Sequence, residues 1–393
     1  MPPSIFGPGL ASYRKPKPAQ ALPRTISYFL GLDALRFFAA YLVVLHHAEQ
    51  IRRKAGLAHL KDYSLFNNGG LAVSFFFVLS GFLITYLLLR EQAQTGRIHI
   101  KAFYMRRVLR IWPLYYLLVL LGLVVVPALG QMGLVAYSLP FAAGEVWYYY
   151  VFFAPFLVNL LYPATFLDPL WSIGVEELFY LFWAPLVRLF GGWLPQMCLA
   201  VVATKVAWLL AAPPGFWLEL ARSLQFEAMA IGALAAWWLY HREVPLAQLY
   251  VFRPAGQMLL MALVLARIGL HGWLVGNSSA YAAFAANAWG QPLVLSALFA
   301  WLILNVSANP ATLMPLRNGV LAYLGRISYG IYMYHMLVVF VLVQVGKKYL
   351  AALPAGVGSI VFYAVASAGV VGVAALSKRV LEDPILRLRK YWA

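Results

Sequence analysis

The stretch Gly31-Leu-Asp-Ala-Leu-Arg-Phe-Phe-Ala-Ala-Tyr-Leu-Val-Val-Leu-His-His47 is an apolar segment with ionisable side chains near both ends. Arg36 and His47 are separated by about three helical turns, which places them on one face of a helix, roughly 16 Å apart along its axis. His46 points about 80° away from Arg36. Asp33 lies one turn before Arg36 and can pair with it. Because ionisable residues inside a membrane span are costly, the stretch predicts a membrane helix with a functional polar face. The structural alternative is a charge-paired helix end followed by histidines at the interface.

The composition indicates a multi-pass membrane protein. Of the 393 residues, 63% are hydrophobic and 11% are charged, whereas ordinary globular proteins have about half and about a quarter. The net charge of +17 comes from basic residues in short segments between apolar runs, which is typical of topology signals rather than of nucleic-acid binding. A single cysteine, Cys198, excludes internal disulfides and cysteine-based metal clusters. We therefore expect no metal and no nucleic-acid partner.

Apolar runs predict an all-α membrane fold with about ten transmembrane helices. The runs are 28–48, 69–90, 108–128, 170–190, 194–212, 224–241, 253–270, 281–305, 322–345 and 356–377. Segment 132–162 is also apolar, but Pro140, Gly144 and Pro155 interrupt it, so we predict a re-entrant segment covered by protein or water. The expected organisation is a flexible basic tail (1–25), one transmembrane domain (26–385) and a second basic tail (386–393).

The distribution of Lys and Arg predicts the orientation of the chain. Most basic segments fall on one side of the bilayer, so both termini are expected in the cytoplasm and the protein in the inner (plasma) membrane. Exceptions such as Arg52, Arg53 and Lys61 fall on the other side. This orientation places His47 at the outer end of the first helix and Arg107 with Arg110 at the inner end of the third.

Arg107 and Arg110 lie three residues apart at the entry to a predicted membrane helix. Guanidinium groups on one helix face suit bidentate binding of phosphates. The alternative is an anchor that grips anionic lipid headgroups.

Two later segments also place polar groups on one face of a membrane helix. Ser172, Glu176 and Tyr180 line one side of the first, with Glu177 beside them. These carboxylates could orient a histidine, accept a proton or hold a hydroxyl substrate, although an acidic first turn can also complement the helix dipole.

In the second segment, Ser328, Tyr332 and His335 share a face. A packed, hydrogen-bonded histidine is the simpler alternative there. In the second predicted helix, Ser74 and the glycines near it indicate close helix packing.

Taken together and in order, these segments resemble the membrane-bound acyltransferase 3 family, which includes bacterial O-antigen and exopolysaccharide O-acetylases. The resemblance spans nearly the whole chain. It rests on six motifs: Asp33-x-Leu-Arg36 with His47, Phe76-Phe-Val-Leu-Ser-Gly-Phe-Leu-Ile84, Arg107-x-x-Arg110, Ser172-x-x-x-Glu176-x-x-Phe179-Tyr180, Leu324-Gly-Arg-Ile-Ser-Tyr329 with His335, and Glu382-Asp-Pro384. The chain departs from the family where Ser74 replaces a frequent acid, which leaves the acceptor open, and where His46 replaces a frequent aromatic residue.

The resemblance implies transfer of an acyl group, usually acetyl, from cytoplasmic acyl-CoA to a hydroxyl of a glycan outside the membrane. Arg107 and Arg110 would then hold CoA phosphates, and Arg36 with Asp33 would shape the path of the thioester. His47 would act as general base or carry the acyl group, with Glu176 orienting it. The further substrate-site candidates are Ser74, Ser172, Glu177, Tyr180, Tyr332 and His335.

Two alternatives stay open at the level of the sequence. Buried His, Glu and Arg side chains also serve proton-coupled transporters and flippases, although the two halves of the chain show no inverted repeat. The other alternative keeps acyl transfer but changes the acceptor to a lipid or a small metabolite.

Overall fold

The structure is a computed structural model that describes residue 29 and residues 31–392. Within those residues the chain is helical and contains no β-strand. The first nine α-helices are α1 (Leu32–Lys54), α2 (Gly69–Thr95), α3 (Ile100–Leu120), α4 (Val126–Gln131), α5 (Ala143–Val151), α6 (Pro155–Leu161), α7 (Trp171–Phe190), α8 (Leu194–Ala211) and α9 (Phe216–Ser223). The predicted tail 1–25 lies outside the described residues.

The second nine helices complete the bundle. They are α10 (Phe226–His241), α11 (Pro254–Gly269), α12 (His271–Asn277), α13 (Ser279–Ala286), α14 (Gly290–Ala308), α15 (Gly319–Arg326), α16 (Ser328–Ala351), α17 (Ala355–Ser377) and α18 (Asp383–Leu386). π-helical turns at Leu121–Val125 and Lys378–Glu382 join α3 to α4 and α17 to α18. A 3₁₀ helix, Arg387–Trp392, follows α18.

Six helical stretches of the described chain are long and apolar enough to cross a membrane, or up to seven if the bent pair α11 and α12 is one span. The expected count of about ten spans is not confirmed. α1 falls outside the six because its charged and histidine side chains lower its mean hydropathy. α10 and α11 have 16 residues each, fewer than the roughly 20 that a full crossing needs. One stretch, Asp168–Ala211, covers two of the predicted runs in 44 residues.

Segment 132–162 contains only two short helices, α5 with nine residues and α6 with seven. Neither is long enough to cross a bilayer. The Tyr115 hydroxyl of α3 donates to the carbonyl of Tyr150 at 2.9 Å, and the Tyr116 hydroxyl donates to the carbonyl of Val151 at 3.0 Å. Protein groups therefore satisfy part of the backbone of this interrupted segment, as a re-entrant path at membrane depth requires.

Close approaches between helices set the core. A Cβ on Gly81 of α2 would lie 1.9 Å from the Met229 carbonyl oxygen of α10, and one on Gly232 would lie 2.0 Å from the Val78 carbonyl oxygen. Small residues at such crossings let two backbones approach, which is how membrane helices gain packing energy. A Cβ on Gly325 of α15 would similarly lie 2.0 Å from the Asp33 carbonyl oxygen. α1 packs against α2, α15 and α16, and these contacts position its polar face.

Candidate active site

A histidine pair joins the C-terminal half of α1 to the N-terminal half of α16. His47 Nδ1 lies 3.0 Å from His335 Nε2, and the two ring centroids are 5.0 Å apart. His335 is fully buried. Sequence analysis placed both residues among the candidates but did not predict their contact, because they are 288 residues apart.

The hydrogen bonds of this pair determine which nitrogens carry protons. His335 Nδ1 faces the main-chain carbonyl of Tyr332, and a carbonyl only accepts, so Nδ1 of His335 is the protonated nitrogen. In the neutral ring Nε2 of His335 is then an acceptor, and the proton between the two rings belongs to His47 Nδ1. The carbonyl of Val43 is a further acceptor beside the His47 ring. Nε2 of neutral His47 therefore keeps its lone pair for chemistry.

His46 has different surroundings from His47. Lys61 Nζ donates to His46 Nδ1 at 3.2 Å, and the side-chain amide of Gln50 lies 3.1 Å from His46 Nε2. A Cβ on Gly69 would lie 2.6 Å from the His46 ring. Burial lowers the pKa of Lys61, which lies in the loop between α1 and α2. His46 thus fastens this loop and the start of α2 to α1.

Tyr332 connects the histidine pair to the inside of the bundle. Its hydroxyl donates to the carbonyl of Pro169 at 2.8 Å and lies 2.7 Å from the Ser172 hydroxyl. Its ring centroid is 5.8 Å from that of His335. Both Tyr332 and Ser172 are buried, so the predicted candidates Ser172, Tyr332 and His335 form one connected group.

An inner cavity of about 200 Å³ is lined by Ser172 and Tyr332 of this group. Its polar lining combines groups from α1, α2, α3, α7 and α16: Arg36, Ser80, Arg107, Arg110, Ser172, Glu176, Tyr180, Ser328 and Tyr332. The remaining wall is largely apolar and includes Phe76, Leu83, Ile84, Ile111 and Ile173. A narrow apolar channel with a few convergent polar groups is the usual form of a ligand site.

Glu176 lines this cavity, but its hydrogen-bond partner is not a histidine. The Tyr180 hydroxyl donates to Glu176 Oε2 at 3.1 Å and is also bonded to the Ser80 hydroxyl. His47 takes His335 as its ring partner instead. Among the described residues, the ring partner of His47 is thus His335 rather than Glu176, and an orienting role for Glu176 stays a prediction.

Arg107 carries an unused donor at the cavity. Its guanidinium lies 5.8 Å from the ring centroids of Phe103 and Tyr180. Among the described residues, its buried Nε has no hydrogen-bond partner, and neither does Oε1 of the neighbouring Glu177. The other carboxylate oxygen of Glu177 accepts from Trp112 Nε1 at 3.3 Å. A buried donor without a partner is costly unless a ligand satisfies it.

A larger cavity of about 1380 Å³ opens next to the inner one. The two cavities share five lining residues, so they adjoin each other: Arg36, Leu87, Arg107, Arg110 and Tyr329. We call the larger cavity the basic vestibule. Its charged lining has nine Lys or Arg side chains against three carboxylates: Arg36, Arg90, Lys101, Arg106, Arg107, Arg110, Arg326, Lys378 and Arg389, with Asp33, Glu91 and Glu382. The charge excess favours a polyanionic ligand.

The remaining predicted residues have structural partners. Arg36 Nη1 donates to Asp33 Oδ1 at 2.7 Å, which confirms the pair expected from their spacing. Ser74 donates to the Gln225 side chain at 2.7 Å and joins α2 to the start of α10; it does not line either cavity.

Two features of the structure were not predicted from the sequence. One is a buried ion pair between Lys205 of α8 and Glu227 of α10, with Lys205 Nζ 3.4 Å from Glu227 Oε2. A lysine inside the apolar run 194–212 was the available signal. The other is the segment Arg387–Trp392, expected as part of a tail, which lines the basic vestibule. In the described chain no group of three or more His, Cys, Asp or Glu side chains could hold a metal ion.

The fold and the site define a multi-pass helical membrane protein in which a histidine pair lies beyond an arginine-lined channel. A family model described as an acyltransferase domain matches residues 29–379. The chain belongs to this acyltransferase family, which confirms the family expected from the motifs.

Relatives with assigned names agree with this membership. The chain is 28% identical to nodulation protein 10 of Rhizobium leguminosarum bv. viciae, over 91% of this chain and 94% of that protein. It is 25% identical to the peptidoglycan O-acetyltransferase OatA of Listeria monocytogenes, over 78% of this chain and 49% of that protein. A putative O-acetyltransferase of Staphylococcus aureus (strain COL) is 29% identical over 40% of this chain and 24% of that protein. The matched part of the chain thus covers about half of OatA and about a quarter of the Staphylococcus aureus protein. No solved structure matches it significantly.

Proposed function

We propose that this protein transfers an acyl group, in the first instance acetyl, from cytoplasmic acyl-CoA to a hydroxyl group of a glycan on the other side of the membrane. The observation that carries the proposal is the arrangement of the basic vestibule beside an inner cavity that is lined by Tyr332. Tyr332 in turn packs against His335 of the His47–His335 pair. Family membership supplies the acyltransferase chemistry. The named activity of OatA supports O-acetylation of a glycan.

The vestibule fits CoA by charge and by form. CoA carries phosphate groups at one end and a long, largely uncharged thioester arm at the other. Nine basic side chains line the vestibule, while the inner cavity is narrow and mostly apolar. Arg107 and Arg110 line both cavities, so their guanidinium groups would bind a phosphate of the donor where the vestibule adjoins the inner cavity.

His47 is the group that would act on the acceptor. Its Nε2 lone pair removes the proton from the acceptor hydroxyl, the hydroxyl oxygen bonds to the acyl carbon, and the carbon–sulfur bond breaks. His47 then returns the proton to the departing thiolate. Throughout, Nδ1–H of His47 stays directed at His335 Nε2, which fixes the ring and stabilises its charged form. An acyl-histidine route uses the same lone pair.

The orientation of the chain follows from the sequence argument. With the basic vestibule in the cytoplasm, the donor enters from inside, and the α1 end that carries His47 faces the acceptor compartment. A glycan acceptor agrees with the relatives. A hydroxyl group of a lipid or a small metabolite would use the same histidine chemistry. Transfer assays with each class of acceptor distinguish these alternatives.

The test is acetyl transfer in membrane vesicles that receive labelled acetyl-CoA on the vestibule side. His47→Ala should lower transfer by about 10²-fold or more, while His46→Ala keeps Nε2 of His47 in place and serves as the matched control. Folding of both variants is checked by size-exclusion profile in detergent. Full transfer by His47→Ala would overturn the histidine role. Movement of a substrate across CoA-free proteoliposomes, without acyl transfer, would instead indicate a transporter.

A further inference from the structure

The segment Arg387–Trp392 forms part of the wall of the basic vestibule. It follows α18 and contributes Arg389, Tyr391 and Trp392 to the lining. The Trp392 ring is half-buried, and the Tyr391 ring is 70% exposed. These two aromatic side chains lie in a cavity whose charged lining is mostly basic. They require an explanation of their own.

Contacts from α3 hold this segment in place. Arg106 Nη1 donates to the main-chain carbonyl of Trp392 at 3.3 Å, and the same guanidinium pairs with Glu91 of α2 through Nη2 at 2.8 Å. Lys101 Nζ lies 5.2 Å from the centroid of the Trp392 ring. Arg106 therefore holds the main chain of Trp392, and Lys101 lies over one face of its ring.

From this arrangement we infer that Trp392, with Tyr391 beside it, forms the site for the adenine ring of the acyl-CoA donor. A purine base can stack on an aromatic side chain without hydrogen bonds to the edge of the base, because every base has a π-face. The phosphate groups attached to the same nucleoside need cations nearby, and Lys101, Arg106 and Arg389 are placed for them.

The position of the segment agrees with the order of the parts of the donor. Trp392 lines only the vestibule, while Arg107 and Arg110 line both cavities. The nucleotide end would thus lie at Trp392, the diphosphate between the two sites, and the thioester arm in the inner cavity. This inference rests on the proposed function and adds the recognition site for the nucleotide part.

The experiment compares donors with and without the nucleotide. Binding to the purified full-length protein in nanodiscs is measured by calorimetry for three ligands. They are acetyl-CoA, acetyl-4′-phosphopantetheine, which lacks the adenosine 3′,5′-bisphosphate part, and adenosine 3′,5′-bisphosphate itself. Trp392→Ala should weaken binding of acetyl-CoA and of the bisphosphate by about tenfold, as expected for the loss of one stacked base. Binding of acetyl-4′-phosphopantetheine should stay within about twofold.

Two variants make the result specific. Trp392→Phe keeps a stacking face and should recover most of the acetyl-CoA affinity. Trp193→Ala removes an exposed tryptophan that does not line the vestibule and should bind all three ligands as the unsubstituted protein does. Equal weakening of acetyl-CoA and acetyl-4′-phosphopantetheine by Trp392→Ala, or no weakening at all, would overturn the adenine site. Failure of the unsubstituted protein to bind either acyl donor would instead contradict the proposed function.

Discussion

His47 Nδ1 and His335 Nε2 lie 3.0 Å apart and join α1 to α16 across 288 residues of sequence. The Tyr332 carbonyl at the other nitrogen of His335 fixes the direction of this hydrogen bond. In the proposed mechanism, the nitrogen of His47 that acts on the acceptor is therefore set by His335, which lines neither cavity. The proposal thus gives the two histidines different roles: His47 acts on the acceptor, and His335 positions the ring of His47.

The first prediction concerns that positioning role. His335→Ala removes the acceptor of His47 Nδ1–H, so the His47 ring loses its fixed orientation, and kcat should fall by about 10²-fold. The KM for acetyl-CoA should change little, because His335 lines neither cavity. The measurement is steady-state transfer against acetyl-CoA concentration at several pH values, where the positioning role predicts an altered pH profile of kcat. His241→Ala, an exposed histidine on α10, is the control. A loss confined to KM would refute the role.

The second prediction concerns Arg107. Arg107→Ala removes the donor at the junction of the two cavities, and the KM for acetyl-CoA should rise about tenfold or more, since charge-assisted hydrogen bonds contribute about 1.5–3 kcal/mol. Arg107→Lys keeps the charge but not the planar fork and should recover part of the effect. Arg188→Ala, at an exposed position of α7, should leave KM unchanged. An unchanged KM in Arg107→Ala would assign this side chain to membrane topology.

The third prediction concerns the Tyr332 hydroxyl. Tyr332→Phe removes the bonds of this hydroxyl to the Pro169 carbonyl and the Ser172 hydroxyl. Those two groups keep the 3.3 Å bond from Ser172 to Pro169, so the loss should be that of a net hydrogen bond, about 0.5–1.5 kcal/mol. We expect a lower unfolding temperature in detergent. The carbonyl of residue 332 persists in this variant, so the tautomer of His335 is retained and transfer should fall far less than in His335→Ala. Equal losses of kcat in the two variants would contradict the separation of these roles.

The fourth prediction tests the helix crossing that holds the bundle together. Gly81→Ala would place a Cβ 1.9 Å from the Met229 carbonyl oxygen, so α2 and α10 must separate. Overpacking of this kind costs about 1–3 kcal/mol or more. Gly70→Ala lies on the same helix, where a Cβ meets nothing within 4 Å, and should keep the unfolding temperature of the unsubstituted protein. Thermal unfolding monitored by fluorescence compares the two. A stable Gly81→Ala protein would show that this crossing can relax.

Local periodicity explains what could be predicted from sequence. The eleven-residue interval between Arg36 and His47 and the three-residue interval between Arg107 and Arg110 place each pair on one helix face, because those relations depend only on the geometry of a single helix. The pair formed by Asp33 and Arg36 is of the same kind and is present at 2.7 Å. The count of membrane spans was less accurate, since apolar runs do not show where a helix of 16 residues stops short of a full crossing.

By itself, then, the sequence of this protein determines the helical membrane class, the family motifs and the polar face of α1. Only the tertiary structure decides that His47 pairs with His335 rather than with Glu176, and that Trp392 lies in the vestibule beside Lys101. The physical reason is that contacts between distant segments depend on which helices approach each other. That approach is set by small residues such as Gly81 and Gly325, whose partners no local pattern specifies.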